Sequence, residues 1–476
     1  MRIKGLIFFF VVTLITVLSC EEERFITDSD AGITFSVDTL YFDTVFTSLG
    51  TATRSFTIHN THKDFLKISE IRLAKAENSV FRLNVDGIPG VLFQNVEVPP
   101  GDSIYVFVDA TLDPNGADEI LLQQDSVVTI TNGKIQDLDL VAWGQDVHMI
   151  RAEDISTQTW INDKPYLIID YVLVDSLAVL TLDPGVRIYL HRDAIFAVQG
   201  TLLANGTLEE PILFQGDRLE SLYDKFPGQW GGIVFVGSSQ ENLMNYVEIK
   251  GGTFGINIIS NNNESPKLSF FNSTIQHISS YGIIANGSTI DSYNAVISNC
   301  GSSAIVLFGG NHHFNHCTIA NSWGWSPIRT DPSVFITNYY FENENGENQL
   351  KIKDLENAYF GNSIIWGNLT SELFIDHSLD IELNPLGGLL NYHFENCALK
   401  LDPEEITISD EKFPGLIQEN PNFISWQEYD FQLDTLSPAK DVGNMDIGLL
   451  YPTDIKGDSR IYDSKPDIGA FERIEN

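Results

Sequence analysis

Ser273-Thr274-Ile275, Ala295-Val296-Ile297 and Cys317-Thr318-Ile319 are three copies of one phrase set 22 residues apart. Each has a small residue, a variable position and an aliphatic residue, and a polar turn follows. The same phrase stands at Val247-Glu248-Ile249, Ser363-Ile364-Ile365 and Cys397-Ala398-Leu399, so the successive steps are 26, 22, 22, 46 and 34 residues. Self-similarity at a fixed period of this length is the mark of a solenoid. Two residues past the aliphatic position stand His277, Asn299 and Asn321, again 22 apart. Side chains of this kind can bond the backbone groups left unpaired where a strand bends, so they read as a structural ladder. Seven residues past it, Gly282 and Ala304 precede Ile283-Ile284 and Ile305-Val306, a tight corner followed by a return to the core. One coil alone cannot bury its inner face, whereas stacked coils bury a continuous apolar column. No window of useful length shows a 3.6-residue period, and Gly and Asn recur throughout, which argues against helices.

The stretch upstream has the same character. Val179-Leu180-Thr181-Leu182-Asp183-Pro184-Gly185-Val186, Ile195-Phe196-Ala197-Val198-Gln199-Gly200-Thr201-Leu202 and Gln229-Trp230-Gly231-Gly232-Ile233 resemble the opening coils of right-handed parallel β-helices of the pectate-lyase-like superfamily, in its Bacteroidetes lipoprotein branch. The resemblance spans roughly residues 181–472 and implies a solenoid with three short sheets. It implies no reaction, because lyases, hydrolases, adhesins and inert stalks share that fold. The tail, with Asp454-Ile455-Lys456-Gly457-Asp458-Ser459-Arg460 and Pro466-Asp467-Ile468-Gly469-Ala470-Phe471-Glu472, resembles the terminal segment of such proteins. Residues 437–476 are therefore expected to cap the last coil, with Arg460 pairing Asp467 or Glu472.

Ahead of the solenoid, residues 32–150 read as short alternating strands with turns between them. Phe56-Thr57-Ile58-His59-Asn60, Pro99-Pro100-Gly101-Asp102 and Ala142-Trp143-Gly144 resemble bacterial immunoglobulin-like domains. A β-sandwich acting as a stalk is expected there. The fold class is thus all-β: an immunoglobulin-like sandwich, then a right-handed parallel β-helix over 151–436, then the cap.

The N-terminus carries a different message. Arg2 and Lys4 precede an apolar run from Gly5 to Leu18 that ends Val17-Leu18-Ser19-Cys20. The run is too short to span a bilayer comfortably and has the proportions of a signal peptide over residues 1–19. Its end resembles a bacterial lipobox, which implies lipid on Cys20 and a membrane tether through residues 20–31. Glu21-Glu22-Glu23 resembles the surface-export signal of Bacteroidetes lipoproteins, so the expected location is the outer membrane, at the cell surface.

Charge narrows the partners. Lysine plus arginine is 28 and aspartate plus glutamate is 65, for a net −37. Removal of residues 1–19 takes away two basic residues, so the mature chain carries 26 − 65 = −39. Such a surface repels nucleic acid and disfavours polyanionic glycans.

Residues that carry chemistry are few. Cys300, Cys317 and Cys397 read as buried small apolar groups. In Asn311-His312-His313-Phe314-Asn315-His316, no carboxylate aligns to complete a metal site, so no metal is expected. No cofactor is expected either; calcium is conceivable but has no support in the residues. The 46-residue step holds about 24 residues beyond one coil, within 323–356, and insertions in solenoids often form the binding face. It carries Trp323, Trp325, Arg329, Tyr339 and Tyr340, which with His312 and His313 are the candidate ligand-binding residues. Polygalacturonase-like hydrolases use a Gly-His-Gly segment, and the chain has none. Lys250, Lys267 and Arg329 match no lyase motif. The expected function is a lipid-anchored binding or scaffold protein that engages a glycan or another surface partner; a polysaccharide lyase or glycoside hydrolase is the alternative. If Cys20 carries the anchor, labelled palmitate enters the wild-type chain and is lost in Cys20→Ala; a variant that keeps the label would contradict the lipobox reading.

Overall fold

The computed structural model describes residues 24–475 apart from 48, 52, 115, 117–119, 238, 261–265, 345–346, 379–385, 405 and 463–464. The signal peptide, Cys20 and Glu21 to Glu23 lie outside the described residues. The chain divides into two compact units between Asp146 and Val147.

In the first unit, two five-stranded sheets face one apolar core. One runs in the order Thr34–Phe35, Arg54–His59, Ser103–Ala110, Phe81–Val85, Ile88–Gly90; the other runs Thr39–Phe46, Lys134–Gln145, Leu121–Thr131, Leu66–Leu73, Leu92–Val98. Alternation along Ser103–Ala110 sends Ile104, Val106 and Val108 inward and Tyr105 and Phe107 outward, as a half-buried strand requires. The sequence marker Asn60 is buried, and its amide donates to the carbonyls of Asp64, Val98 and Pro99 at 2.9–3.0 Å. One side chain therefore satisfies carbonyls of both turns that the sequence picked out.

The second unit is a right-handed parallel β-helix. Each regular coil contributes three strands, for example Thr274–Ile278, Ile283–Asn286 and Thr289–Tyr293, which we place on faces 1, 2 and 3. Faces 1 and 2 form a continuous 17-stranded sheet and face 3 a nine-stranded one. The repeated aliphatic position makes the central column. Phe214, Ile249, Ile275, Ile297, Ile319, Ile365 and Leu399 are successive parallel partners, and all are fully buried. Each such side chain contributes about 1.5–3 kcal/mol by leaving water. On face 3, Phe314, Phe360 and Phe394 stack at 4.8 and 4.9 Å between ring centres.

Two corners carry polar ladders. His277 and Asn299 occupy the left-handed region, at φ 58° and 52°, and the Asn299 amide donates to His277 Nδ1 at 2.6 Å. Asn321 departs from the ladder: its Oδ1 accepts from the Cys300 N–H at 2.8 Å instead. The other corner, between faces 3 and 1, holds Asn272, Asn294, His316, Asn362 and Asn396, all at φ 47–52°. Asparagine tolerates this conformation better than most residues. Each N–H there donates to a carbonyl of the following coil or, for Asn396, to that of Pro414.

One expectation needs correction. Residues 437–476 do not cap the last coil. The end of the core is covered by Leu401, Ile406 and Phe413, with Phe413 stacked on Phe394 at 5.3 Å. The tail from Ile417 onward lies along the outer side of face 1. Phe431, Ile455 and Ala470 pack on Val296 and Ala320, and Leu433, Ala439 and Ile468 pack on Ile364 and Ala398. Corner amides hold it: Asn294, Asn362 and Asn396 donate to the carbonyls of Thr453, Asn444 and Val442 at 2.9–3.1 Å. Arg460 pairs with Glu472 at 3.4 Å and donates to Asn294 Oδ1 at 2.9 Å, so this buried pair fastens the tail rather than closing a coil.

The long step has two parts. Ile305 pairs with Val334 and His312 with Ala358, so the 24 extra residues divide into 7 at the corner between faces 1 and 2 and 17 between faces 2 and 3. The larger part forms a hairpin of Tyr339–Glu344 and Glu347–Ile352. Because Ile297 is fully buried in the column, Ile297→Ala is expected to cost the β-helix about 2–5 kcal/mol in urea unfolding. Ile259→Ala, at an outward position on face 2, is expected to change it by less than about 0.5 kcal/mol.

Candidate functional site

By seating on the middle of face 1, the tail leaves two open depressions on the helix surface, one toward each end. The first is a groove of about 620 Å3 lined by Trp366, Asn368, Lys400, Asn422, Trp426 and Asp434, among others. Trp366 projects outward from Ile364–Gly367 because Ile365 beside it points into the column. Trp426 comes from the tail, where it stacks on Phe423 at 5.3 Å. Lys400 Nζ lies 5.9 Å from the centre of the Trp366 ring and donates to the Gly367 carbonyl at 3.0 Å.

The second depression, of about 210 Å3, is charged. Glu248, Lys250, Thr274 and Gln276 point out of face 1, while Asp224 and Lys225 come from an outgrowth at 217–231 and Glu428 and Tyr429 from the tail. Lys250 Nζ sits 2.6 Å from Asp224 Oδ1, and this bond holds the Asp224 carboxyl below its ordinary range. Lys225 lies 3.5 Å from Glu428 and 5.4 Å from the Tyr429 ring centre. Burial pushes His277 down to about 4, so its imidazole is neutral at pH 7, and with Nδ1 accepting from Asn299 its proton sits on Nε2.

The structure disperses the residues singled out in the sequence. Trp323 is 7% exposed and donates from Nε1 to the Pro327 carbonyl at 2.9 Å, so it seals its own loop instead of offering a platform. Trp325 is 39% exposed and packs edge-on against Phe226 at 5.1 Å, joining the two outgrowths at the corner between faces 1 and 2. Arg329 is not a free cation. It is buried and forks onto Glu372 at 2.7 and 2.8 Å, with further bonds to Asn321 O, Asp331 O and Asn368 Oδ1. Glu372 also accepts from the N–H groups of Ser333 and Leu369. His312 is buried, donates to the Gly309 carbonyl at 2.8 Å and is held near 4 by burial. His313 stands on the outer side of face 3, between Asp291 Oδ1 and Asn357 Nδ2, each 3.1 Å away. Tyr339 and Tyr340 line a third, aromatic cleft on face 2.

The groove residues Trp366, Lys400 and Trp426 escaped the sequence reading. Trp366 directly follows a repeat triplet, and an indole at an outward position of a coil was the available signal. Among the described residues, no group of three or more His, Cys, Asp or Glu side chains is placed to hold a metal ion, so no residues stand out as calcium ligands.

A family model agrees with the β-helix over part of its length. Residues 152–322 match a family model described as a pectate-lyase-like β-helix domain. No curated protein matches the chain. Among solved structures, pectate lyase Pel9A is 10% identical, with 69% of this chain and 88% of that one covered and a TM-score of 0.31. A family 123 glycoside hydrolase from Clostridium perfringens is 7% identical over 25% of this chain, with a TM-score of 0.18, and the match spans 30% of its length. The PapD-like domain 7 of human CEP192 is 13% identical over 29% of this chain and 97% of that one, with a TM-score of 0.17.

Arg329→Met strands the buried Glu372 carboxylate, and a broken buried pair costs about 3–5 kcal/mol. Chemical unfolding is expected to show that loss, with part of it recovered in Arg329→Met/Glu372→Leu. Trp325→Ala, at the exposed end of the same loop, is expected to cost less than about 1 kcal/mol.

Proposed function

We propose that this chain is a lipid-anchored protein of the bacterial outer membrane, displayed at the cell surface, that binds a neutral glycan on the outer side of its β-helix without cleaving it. The observation that carries the reading is the composition of the groove beside the tail: two indoles with amides from Asn368, Asn420 and Asn422. A sugar ring has an apolar C–H face and a rim of hydroxyls. Aromatic faces meet the former and amides the latter, the usual make-up of a small-ligand site. Asp434 is the sole carboxylate among the residues lining the groove, and its Oδ1 already accepts from the Leu436 N–H at 3.1 Å. Glycoside hydrolysis asks instead for two carboxyl groups about 5–9.5 Å apart. The net charge of the mature chain supports a neutral ligand over a polyanion. The lipobox and acidic tether support the anchor and the outward location.

One observation favours catalysis as a second reading. The charged cleft gathers the Asp224, Glu248 and Glu428 carboxylates, two lysines and a neutral imidazole, groups able to move protons. A panel of neutral and acidic polysaccharides decides between them. Binding without new reducing ends or unsaturated products, weakened about tenfold or more in Trp366→Ala, is the expected result. Cleavage that is lost in Glu248→Gln or Lys250→Ala would replace the binding reading with an enzyme acting in the charged cleft.

A further inference from the structure

Face 2 carries a cleft that neither depression beside the tail includes. Its floor is an outward row in which Asn286, Phe308 and Thr337 are successive parallel partners on three coils. Its walls are Phe335 and the first strand of the inserted hairpin, through Tyr339, Tyr340 and Phe341, and the space enclosed is about 410 Å3. The aromatics form a connected surface. Phe335 stacks on Phe374 at 5.5 Å, and Phe308 lies 6.4 Å from Phe335 and 6.3 Å from Tyr340. The surface is open to water: Phe341 is 63% exposed and Phe374 39%. On a chain this acidic, a contiguous exposed aromatic surface calls for a binding partner to explain it.

A second observation narrows the partner. Asn286 is the one amide side chain among the residues lining this cleft. An amide donates to and accepts from hydroxyls, so a ligand that brings a hydroxyl to it is favoured over a purely apolar one. At the rim, the Tyr339 hydroxyl donates to the Asp376 carboxylate, which fixes a polar edge beside the aromatic faces. Aromatic faces with an amide beside them suit a pyranose ring, whose C–H face can lie on Phe308 or Tyr340 while a hydroxyl meets the Asn286 amide.

We infer that the face 2 cleft is a second sugar-binding subsite, built by the inserted hairpin and separate from the groove beside the tail. The inference rests on the reading that the chain binds a neutral glycan. It adds that two sites on one rigid helix engage the polymer together, so that each raises the effective concentration of ligand at the other.

Calorimetric titration of the full mature chain with neutral hexasaccharides (gluco-, manno- and xylo-configured) tests this, with Trp366→Ala, Tyr340→Ala, Asn286→Ala and the Trp366→Ala/Tyr340→Ala pair compared with wild type. Thermal unfolding confirms that each variant is folded. Trp366→Ala is expected to keep a weaker binding event, and adding Tyr340→Ala to remove it; Asn286→Ala alone is expected to weaken binding about fivefold or more. If Trp366→Ala removes all binding while Tyr340→Ala and Asn286→Ala match wild type, the second subsite is overturned and the groove stands. If wild type binds none of the hexasaccharides, both readings fall.

Discussion

Every feature of the second unit depends on parallel stacking of coils around a closed column of aliphatic and aromatic side chains. A coil of 22 residues offers only a few inward positions, so its interior becomes dry only when another coil lies above and below. The inward residue is therefore constrained on every coil, and the outward residue beside it is free to vary. Ile365 must point inward between Ile319 and Leu399, and that places Trp366 on the surface. Function in such a fold is written in outward positions and in whatever the corners extrude.

The tail turns this freedom into sites. Face 1 exposes a row of backbone and short side chains, and the chain from Ile417 onward covers it with Phe431, Leu433, Ile455 and Ile468. The outward residues beneath it, Val296, Ala320 and Ala398, are apolar, which removes the polar alternation a solvent-facing strand would show. Coverage stops short at both ends, and each margin becomes a depression with one wall from the tail. Arg460 and the corner asparagines hold that wall in place.

The column was legible from the sequence because its constraint is local and periodic: Ile275, Ile297 and Ile319 recur every 22 residues. The ladder of His277 and Asn299 was legible for the same reason. The fate of the tail was not, since its partners Asn294, Thr318 and Asn362 lie up to about 160 residues away and no period connects them. The insertion misled for a related reason. Arg329 has the composition of a binding residue, but Glu372, 43 residues later, claims it. Trp323 turned inward to close a corner that also had to bury Arg329. Tyr339 and Tyr340 stay at the surface and line the cleft on face 2, because a hairpin exposes at least one of its sides. Trp366 and Trp426, which build the main groove together, belong to segments that read separately as a coil and a tail.

The most direct test of the stacked-coil account is pairwise cross-linking of outward positions on face 1. Leu213 pairs with Glu248, and Glu248 with Thr274. Parallel neighbours lie about 4.8 Å apart and a disulfide needs Cα atoms within about 7 Å. Cysteines at 213 and 248, or at 248 and 274, should therefore oxidise to a cross-link in the folded chain, while cysteines at 213 and 274, two steps apart at about 9.6 Å, should stay reduced. A cross-link between 213 and 274 in preference to either neighbouring pair would contradict the stacking on which the account of the β-helix rests.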